Sequence, residues 1–167
     1  DDPVYLRLGK KGEPLVHDSV PSLRIGSGLE IREGQEVVLL STGNLLPLAV
    51  EVSERLAEQR VAARVVSFHT VKPLDDECLN NSFATAQVVA TIEEHSTLGG
   101  LGGAVAEWLA EQPDITGGKR RARLLRFGTS DDFLHTAGGQ AYARQQYGLD
   151  AKTMSKQIAT ALAARAV

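Results

Sequence analysis

Short apolar runs alternate along the chain with longer segments in which apolar residues recur at helical spacing. Four of these runs have the length of buried strands, and they cover residues 37–41, 63–68, 88–92 and 123–127. Shorter strands are predicted at 4–8 and 29–32. Because strands alternate with helical segments, the pattern predicts a layered α/β fold.

The segments between and after these strands carry the start and stop signals of helices. Asn44, Asp75 and Asp150 are predicted N-caps, since each can accept a hydrogen bond from a backbone N–H group of the first turn. Pro47 fits a first turn, and Gly148 fits the position just after a helix end. The faces predicted to be buried are Leu45, Leu48, Ala49, Val52 and Leu56, then Cys78, Leu79 and Phe83, then Leu101, Val105, Trp108 and Leu109, and finally Met154, Ile158 and Leu162.

The composition narrows the class of protein. With 167 residues, 43% of them hydrophobic, the chain is long enough for one core and too short for two full domains. The formal charge of -3 and the isolated basic run at 119–123 predict no nucleic-acid binding.

Cys78 is the only cysteine, which fits a core position and a reducing, cytoplasmic compartment. No apolar run approaches the ~20 residues of a membrane span, and the polar start without methionine indicates a piece of a longer protein.

A glycine-rich loop at 99–103 follows a predicted strand and opens a predicted helix, which is where phosphate cradles occur. The dinucleotide pattern fails because Val105 stands at its third glycine position, and the P-loop pattern fails around Gly118 and Lys119. Two interpretations remain open. The glycines either allow the helix to pack closely on the sheet or form an anion site.

Three charged residues, Glu93, Glu94 and His95, stand at the end of the third long strand, where α/β folds commonly place function. Paired carboxylates beside a histidine could act as acid and base. Adjacent residues of an extended chain point to opposite faces, however, so capping of the next helix or contact at an interface is also expected. Arg7 lies inside an apolar strand and either forms a salt bridge or binds a phosphate or carboxylate. The spacing of the four histidines predicts no metal site.

Three motifs stand at a characteristic separation: Val-Val-Leu-Leu-Ser-Thr-Gly at 37–43, Phe-His-Thr-Val-Lys-Pro-Leu-Asp at 68–75, and Ile-Glu-Glu-His-Ser-Thr-Leu-Gly-Gly-Leu-Gly at 92–102. Together they resemble the C-terminal domain of the transketolase family, and Tyr-Gly-Leu-Asp at 147–150 extends the resemblance. That family includes transketolases, 1-deoxyxylulose-5-phosphate synthases and β subunits of 2-oxoacid dehydrogenases. The Glu-Glu-His-Ser form is most similar to transketolase-like chains made as separate N- and C-terminal subunits.

The resemblance implies a three-layer α/β/α sandwich around a mixed, mostly parallel five-stranded sheet with one antiparallel strand. It implies that residues 1–30 are the end of a pyrimidine-binding domain plus a linker, and that residues 31–167 are the transketolase C-terminal domain. The segment 3–9 is similar to the last strand of the pyrimidine domain. Arg7 matches the arginine that helps to bind the phosphate of the sugar substrate in transketolases.

The function implied by the resemblance belongs to a parent enzyme that transfers a two-carbon ketol unit between sugar phosphates through thiamine diphosphate and Mg²⁺. The family's metal-diphosphate motif, Gly-Asp-Gly, does not occur here, so neither a bound cofactor nor a catalytic residue is predicted for this chain. The chain is expected to support a homodimer or to join an N-terminal transketolase subunit. Glu93, Glu94, His95, Gly99 and Gly100 are the predicted strand-end and interface residues.

Two alternatives stay open. The parent could catalyse another reaction of the superfamily, either condensation of pyruvate with a triose phosphate or oxidative decarboxylation of a 2-oxoacid. Alternatively, the chain could be a free-standing nucleotide- or anion-binding module that uses the 99–103 loop.

Overall fold

The computed structural model describes residues 3–5, 12, 14–113 and 121–165, and its elements alternate as the sequence predicts. The strands are β1 (Leu29–Arg32), β2 (Val37–Ser41), β3 (Ala63–Ser67), β4 (Val88–Ser96) and β5 (Arg123–Thr129). The helices are α1 (Leu46–Glu58), which follows a 3₁₀ turn at Gly43–Leu45, α2 (Asp76–Thr85), α3 (Leu101–Glu111), α4 (Gln140–Gln146) and α5 (Ala151–Ala163).

The five strands form one mixed sheet in the order β1-β3-β2-β4-β5. Strands β2 to β5 are parallel, and β1 runs antiparallel to β3, with Leu29 opposite Ser67. The central strand β2 is buried along its whole length because helices cover both faces of the sheet. This is the mixed, mostly parallel sheet that the resemblance implies.

Two hydrophobic cores lie on opposite faces of the sheet. One core packs α1 and α5 against the sheet, with Val52, Leu56, Met154 and Ile158 fully buried. The other core packs α2 and α3, with Leu79, Phe83, Leu101 and Val105 fully buried. The prediction of a three-layer α/β/α sandwich is therefore confirmed. Leu48, Cys78, Trp108, Leu109 and Leu162, predicted to be buried, are only half-buried at the margins of these cores.

The predicted helix caps are confirmed at two of three positions. Asp75 accepts a hydrogen bond from the Cys78 amide at 2.9 Å, and Asp150 accepts one from the Thr153 amide at 2.9 Å. The prediction for Asn44 is wrong: α1 begins after Leu45 without a side-chain cap, since a 3₁₀ turn intervenes. That turn directs the Asn44 side chain across the sheet edge toward Glu94 instead.

Strand β4 is longer than predicted. It continues to Ser96, four residues beyond the apolar run, because Ser96 still pairs with Thr129 at the end of β5. The charged residues Glu93, Glu94 and His95 are therefore part of the strand itself. Most of the strand predicted at 4–8 lies outside the described residues. None of the helices in the described ranges is both long and apolar enough to span a bilayer.

Candidate functional site at the carboxyl edge of the sheet

The ends of the parallel strands meet at one edge of the sheet, and β4 brings two carboxylates there on opposite faces. Glu93 is buried, with 2% of its surface exposed, whereas Glu94 lies at the surface. This confirms the expectation that adjacent residues of the strand diverge. The two side chains have no partner in common, because Glu93 bonds to backbone groups and Glu94 bonds to side chains.

The Glu93 carboxylate closes the N-terminus of α3. One oxygen accepts a hydrogen bond from the Leu101 amide, and the other accepts one from the Gly102 amide, each at 2.7 Å. These amides belong to the first turn of α3, where backbone donors lack partners within the helix. The negative charge also interacts favourably with the positive end of the helix dipole. A strand residue therefore caps a helix that begins eight positions later.

The glycines of the loop are required by this close approach. A Cβ atom at Gly100 would lie 2.0 Å from a Glu93 carboxylate oxygen, and one at Gly102 would lie 2.7 Å from the Thr91 hydroxyl oxygen. Gly99 has a φ of +76°, which favours glycine. Of the two interpretations of this loop, close packing of the helix on the sheet has direct support here.

The same geometry tests whether the loop could hold the diphosphate of thiamine diphosphate. A phosphate would need the two amides that Glu93 already occupies, and it would face a buried carboxylate of the same charge. These residues do not fit the cofactor. Among the described residues there is also no cluster of three or more histidine, cysteine, aspartate or glutamate side chains able to hold a metal ion.

Glu94 joins three separate elements through its side chain. Arg144 of α4 donates from Nε and Nη2 to the two carboxylate oxygens at 3.0 and 2.9 Å, which is a bidentate pair. Gln140 of α4 donates to the same oxygens at 3.1 and 3.2 Å, and Asn44 donates to Oε2 from the turn before α1. The bond from Arg144 is the main reason that the pKa of Glu94 lies below the ordinary value for glutamate.

His95 lies exposed beyond this network. Its Nδ1–H donates to the Ser96 carbonyl oxygen at 2.9 Å, and a carbonyl can only accept, so the proton resides on Nδ1 in this bond. Gly100 leaves room for this ring, since a Cβ there would lie 2.8 Å from Nδ1.

The remaining predicted site residue, Arg7, lies outside the described residues. Cys78 lies in the first turn of α2, where its amide donates to Asp75, and burial raises the pKa of its thiol. Arg144 and Gln140 were missed by sequence reasoning, although Gly148 predicted the end of the helix that carries them. Their only sequence signal is that they lie four positions apart on one helix face, and the strand they would reach cannot be read from that spacing.

The structure is thus a three-layer α/β/α domain in which Glu93 caps the helix that follows the glycine-rich loop. A profile of the family described as "Transketolase, C-terminal domain" matches residues 26–154. The chain belongs to the transketolase C-terminal domain family.

Similar proteins come from more than one branch of this family. The chain is 33% identical over 158 residues to a putative transketolase C-terminal section from Methanocaldococcus jannaschii, covering 93% of this chain and 47% of the relative. It is 35% identical over 152 residues to a 6-deoxy-6-sulfo-D-fructose transketolase subunit from Clostridium sp., covering 91% and 45%. It is 36% identical over 150 residues to a 1-deoxy-D-xylulose-5-phosphate synthase from Cellvibrio japonicus, covering 89% and 22%.

Two solved structures with a similar fold are transketolases. A split gene transketolase, described as an inactive beta4 tetramer, superposes with a TM-score of 0.78 at 32% identity and covers 91% of this chain and 47% of the other. A transketolase from Pichia stipitis has a TM-score of 0.56 at 19% identity, covers 83% and 18%, and supports the fold alone. The chain spans about half the length of the first two curated relatives, 47% and 45%.

Proposed function

We propose that this chain is the non-catalytic C-terminal part of an enzyme that transfers a two-carbon ketol unit between sugar phosphates through thiamine diphosphate and Mg²⁺. The observation that carries this proposal is the position of Glu93, which occupies the backbone donors of the glycine-rich loop. The cofactor then belongs on domains other than this one. The chain contributes a structured edge against which those domains or a second subunit pack.

An assembly role is supported by the apolar side chains that precede β1. Val4, Tyr5, Leu15, Val20 and Ile25 are each more than 80% exposed. Such a concentration of exposed apolar side chains is typical of a surface that another domain covers. In this proposal residues 1–30 form the end of the pyrimidine-binding domain and the linker, residues 31–167 form the C-terminal domain, and Arg7 binds the substrate phosphate. Glu93, Glu94, His95, Gly99 and Gly100 support the edge that faces the partner.

The experiment that tests this proposal is a substrate comparison on the complete enzyme, in which this chain is joined to or mixed with the thiamine-binding domains. We expect turnover of a ketose phosphate donor with an aldose phosphate acceptor, and no consumption of pyruvate. The 167-residue chain alone, supplied with thiamine diphosphate and Mg²⁺, should show no ketol transfer. Ketol transfer by the chain alone would contradict the non-catalytic role.

A second candidate is synthesis of 1-deoxyxylulose 5-phosphate from pyruvate and a triose phosphate. It is favoured by the 36% identity to the Cellvibrio japonicus synthase, which is no lower than the identity to the transketolase relatives. Consumption of pyruvate with a triose phosphate in the same assay, without ketol transfer, would select it.

Arg7 is tested in the same complete enzyme. In Arg7→Ala we expect the KM for phosphorylated substrates to rise at least about tenfold, because a charge-assisted hydrogen bond is lost. The kcat/KM for a non-phosphorylated sugar acceptor should stay constant. An unchanged KM for phosphorylated substrates would remove Arg7 from the site.

A further inference from the structure

The outer edge of β5 exposes backbone N–H and C=O groups that pair with no other strand among the described residues. β5 is the last strand of the sheet, and within the described residues only β4 pairs with it. The Arg123 amide donates to the Gln87 carbonyl at 3.0 Å, so Arg123 directs its backbone groups toward β4. Alternation then directs the N–H and C=O groups of Leu124, Arg126 and Gly128 away from the sheet.

A groove with an excess of positive charge runs beside this edge. It has a volume of about 670 Å³ and lies between β5 and α5, with Leu125 and Ala161 on its apolar floor. Arg123, Lys152 and Lys156 line it and are exposed. Its one acidic residue, Asp150, already accepts the hydrogen bond of the Thr153 amide. This concentration of cations stands out in a chain whose formal charge is -3.

The two features face the same approaching segment. Arg123 and Leu125 of β5 both line the groove, so alternate side chains of a strand added to the outer edge would point toward this groove, which Lys152 and Lys156 also line. A second copy of β5 fits poorly there, because that strand carries Arg123 and Arg126 and no acidic residue and would add positive charge beside the groove. Acidic side chains would instead be attracted by the groove.

We propose that the outer edge of β5 and the groove beside it bind an acidic polypeptide segment in extended conformation. The segment forms backbone hydrogen bonds with Leu124, Arg126 and Gly128, and its alternate carboxylates interact with Arg123, Lys152 and Lys156. Backbone pairing supplies the affinity and the lysines and arginine supply the selection for charge. This surface is separate from the carboxyl-edge network of Glu94.

The probe that tests this is a fluorescent, acetylated and amidated peptide of sequence Thr-Glu-Val-Glu-Val-Glu-Thr, titrated with the 167-residue chain at low salt. We expect saturable anisotropy, at least about tenfold weaker binding of the same peptide with lysine at the glutamate positions, and a similar loss at high salt. A peptide N-methylated at alternate residues should also bind at least about tenfold more weakly, because its backbone donors are removed.

Variants of the chain distinguish binding in the groove from non-specific electrostatic attraction of the peptide. Lys152→Gln with Lys156→Gln should weaken binding about five- to tenfold, whereas Lys72→Gln, an exposed lysine on a distant loop, should leave it unchanged. The proposal is overturned if no saturable binding occurs up to ~1 mM, the range of the weakest specific complexes. It is also overturned if the lysine peptide binds as tightly as the glutamate peptide, or if the chain dimerises through β5 and excludes the peptide. Equal binding of the N-methylated peptide would overturn it as well, because it would indicate a simple anion site.

Discussion

Glu93 and Glu94 are neighbours in sequence, yet they stabilise the domain in different ways. Glu93 is buried and bonds only to the backbone of α3, so its role depends on a fixed distance between β4 and the helix start. Glu94 lies at the surface and bonds to side chains from two other elements. The comparison shows that one strand end can complete a core on one face and link peripheral elements on the other.

The largest expected difference between the two residues is in stability. Glu93→Ala removes both acceptors of the α3 amides and leaves buried donors without partners, so we expect a loss of about 3–5 kcal/mol in the free energy of unfolding. Glu93→Gln retains one acceptor oxygen and should lose less. Urea denaturation of the chain measures both variants. A cost below ~1 kcal/mol for Glu93→Ala would place that residue on a par with a surface carboxylate.

Two glycines of α3, Gly102 and Gly103, test how closely the helix packs on Glu93, because the space around them differs. A Cβ at Gly102 would meet Thr91, Glu93 and Arg126 between 2.7 and 3.2 Å, whereas one at Gly103 would have no neighbour closer than 3.7 Å. Gly102→Ala should therefore destabilise the domain by about 1–3 kcal/mol. Gly103→Ala is the matched control, and it should be neutral or stabilising by up to ~1 kcal/mol, since alanine favours a helix. Equal effects of the two substitutions would contradict the close packing at Glu93.

Loss of Glu94 should affect α4 more than the domain as a whole. Glu94→Ala removes the bidentate partner of Arg144, and we expect a global cost of about 1 kcal/mol because the pair is partly exposed. Hydrogen exchange at residues 140–146 should accelerate while exchange in β2 stays unchanged. A double-mutant cycle with Arg144→Ala should give a coupling of about 0.5–1 kcal/mol. Uniform acceleration across the sheet would show that Glu94 belongs to the core instead.

The smallest expected effect is the pH dependence of that network. The folded state lowers the pKa of Glu94, so this residue contributes stability fully above its unfolded pKa of about 4.3 and loses it as the pH falls through the lower folded value. The stability advantage of the unsubstituted chain over Glu94→Gln should be constant between about pH 6 and 8 and should shrink below about pH 4.3. An advantage that grows on acidification would have the wrong sign for a lowered pKa.

Features that depend on local sequence were predictable. The apolar runs predicted β2 to β5 to within a few residues. The reason is clearest for β2, which is covered on both faces and is therefore apolar along nearly its whole length. Asp75 and Asp150 were correctly predicted as caps, since a cap bonds to residues three positions away. Gly148 follows α4 with a φ of +68°, as its position just after a helix end requires.

Features that depend on which elements meet in space were not predictable. Asn44 has the side chain of a cap, but the competing bond to Glu94 across the sheet edge decides its position. Arg144 reaches Glu94 over 50 positions of sequence, and nothing in α4 alone identifies that partner. The glycine-rich loop is compatible with a phosphate or a carboxylate at its helix start. Only the register of β4 shows that Glu93 fills it.

The reversed direction of β1 determines at which edge of the sheet the residues before this strand lie. Since Leu29 pairs with Ser67, β1 begins at the edge where the other strands finish, and residues 14–21 line a cleft there together with Gly43, Asn44 and Pro47. In the proposal made above, a domain that precedes residue 14 would therefore be connected near Asn44, within the ~3.5 Å per residue that an extended chain can reach. If β1 were parallel to β3, the residues before it would instead lie at the opposite edge of the sheet, about one strand length away.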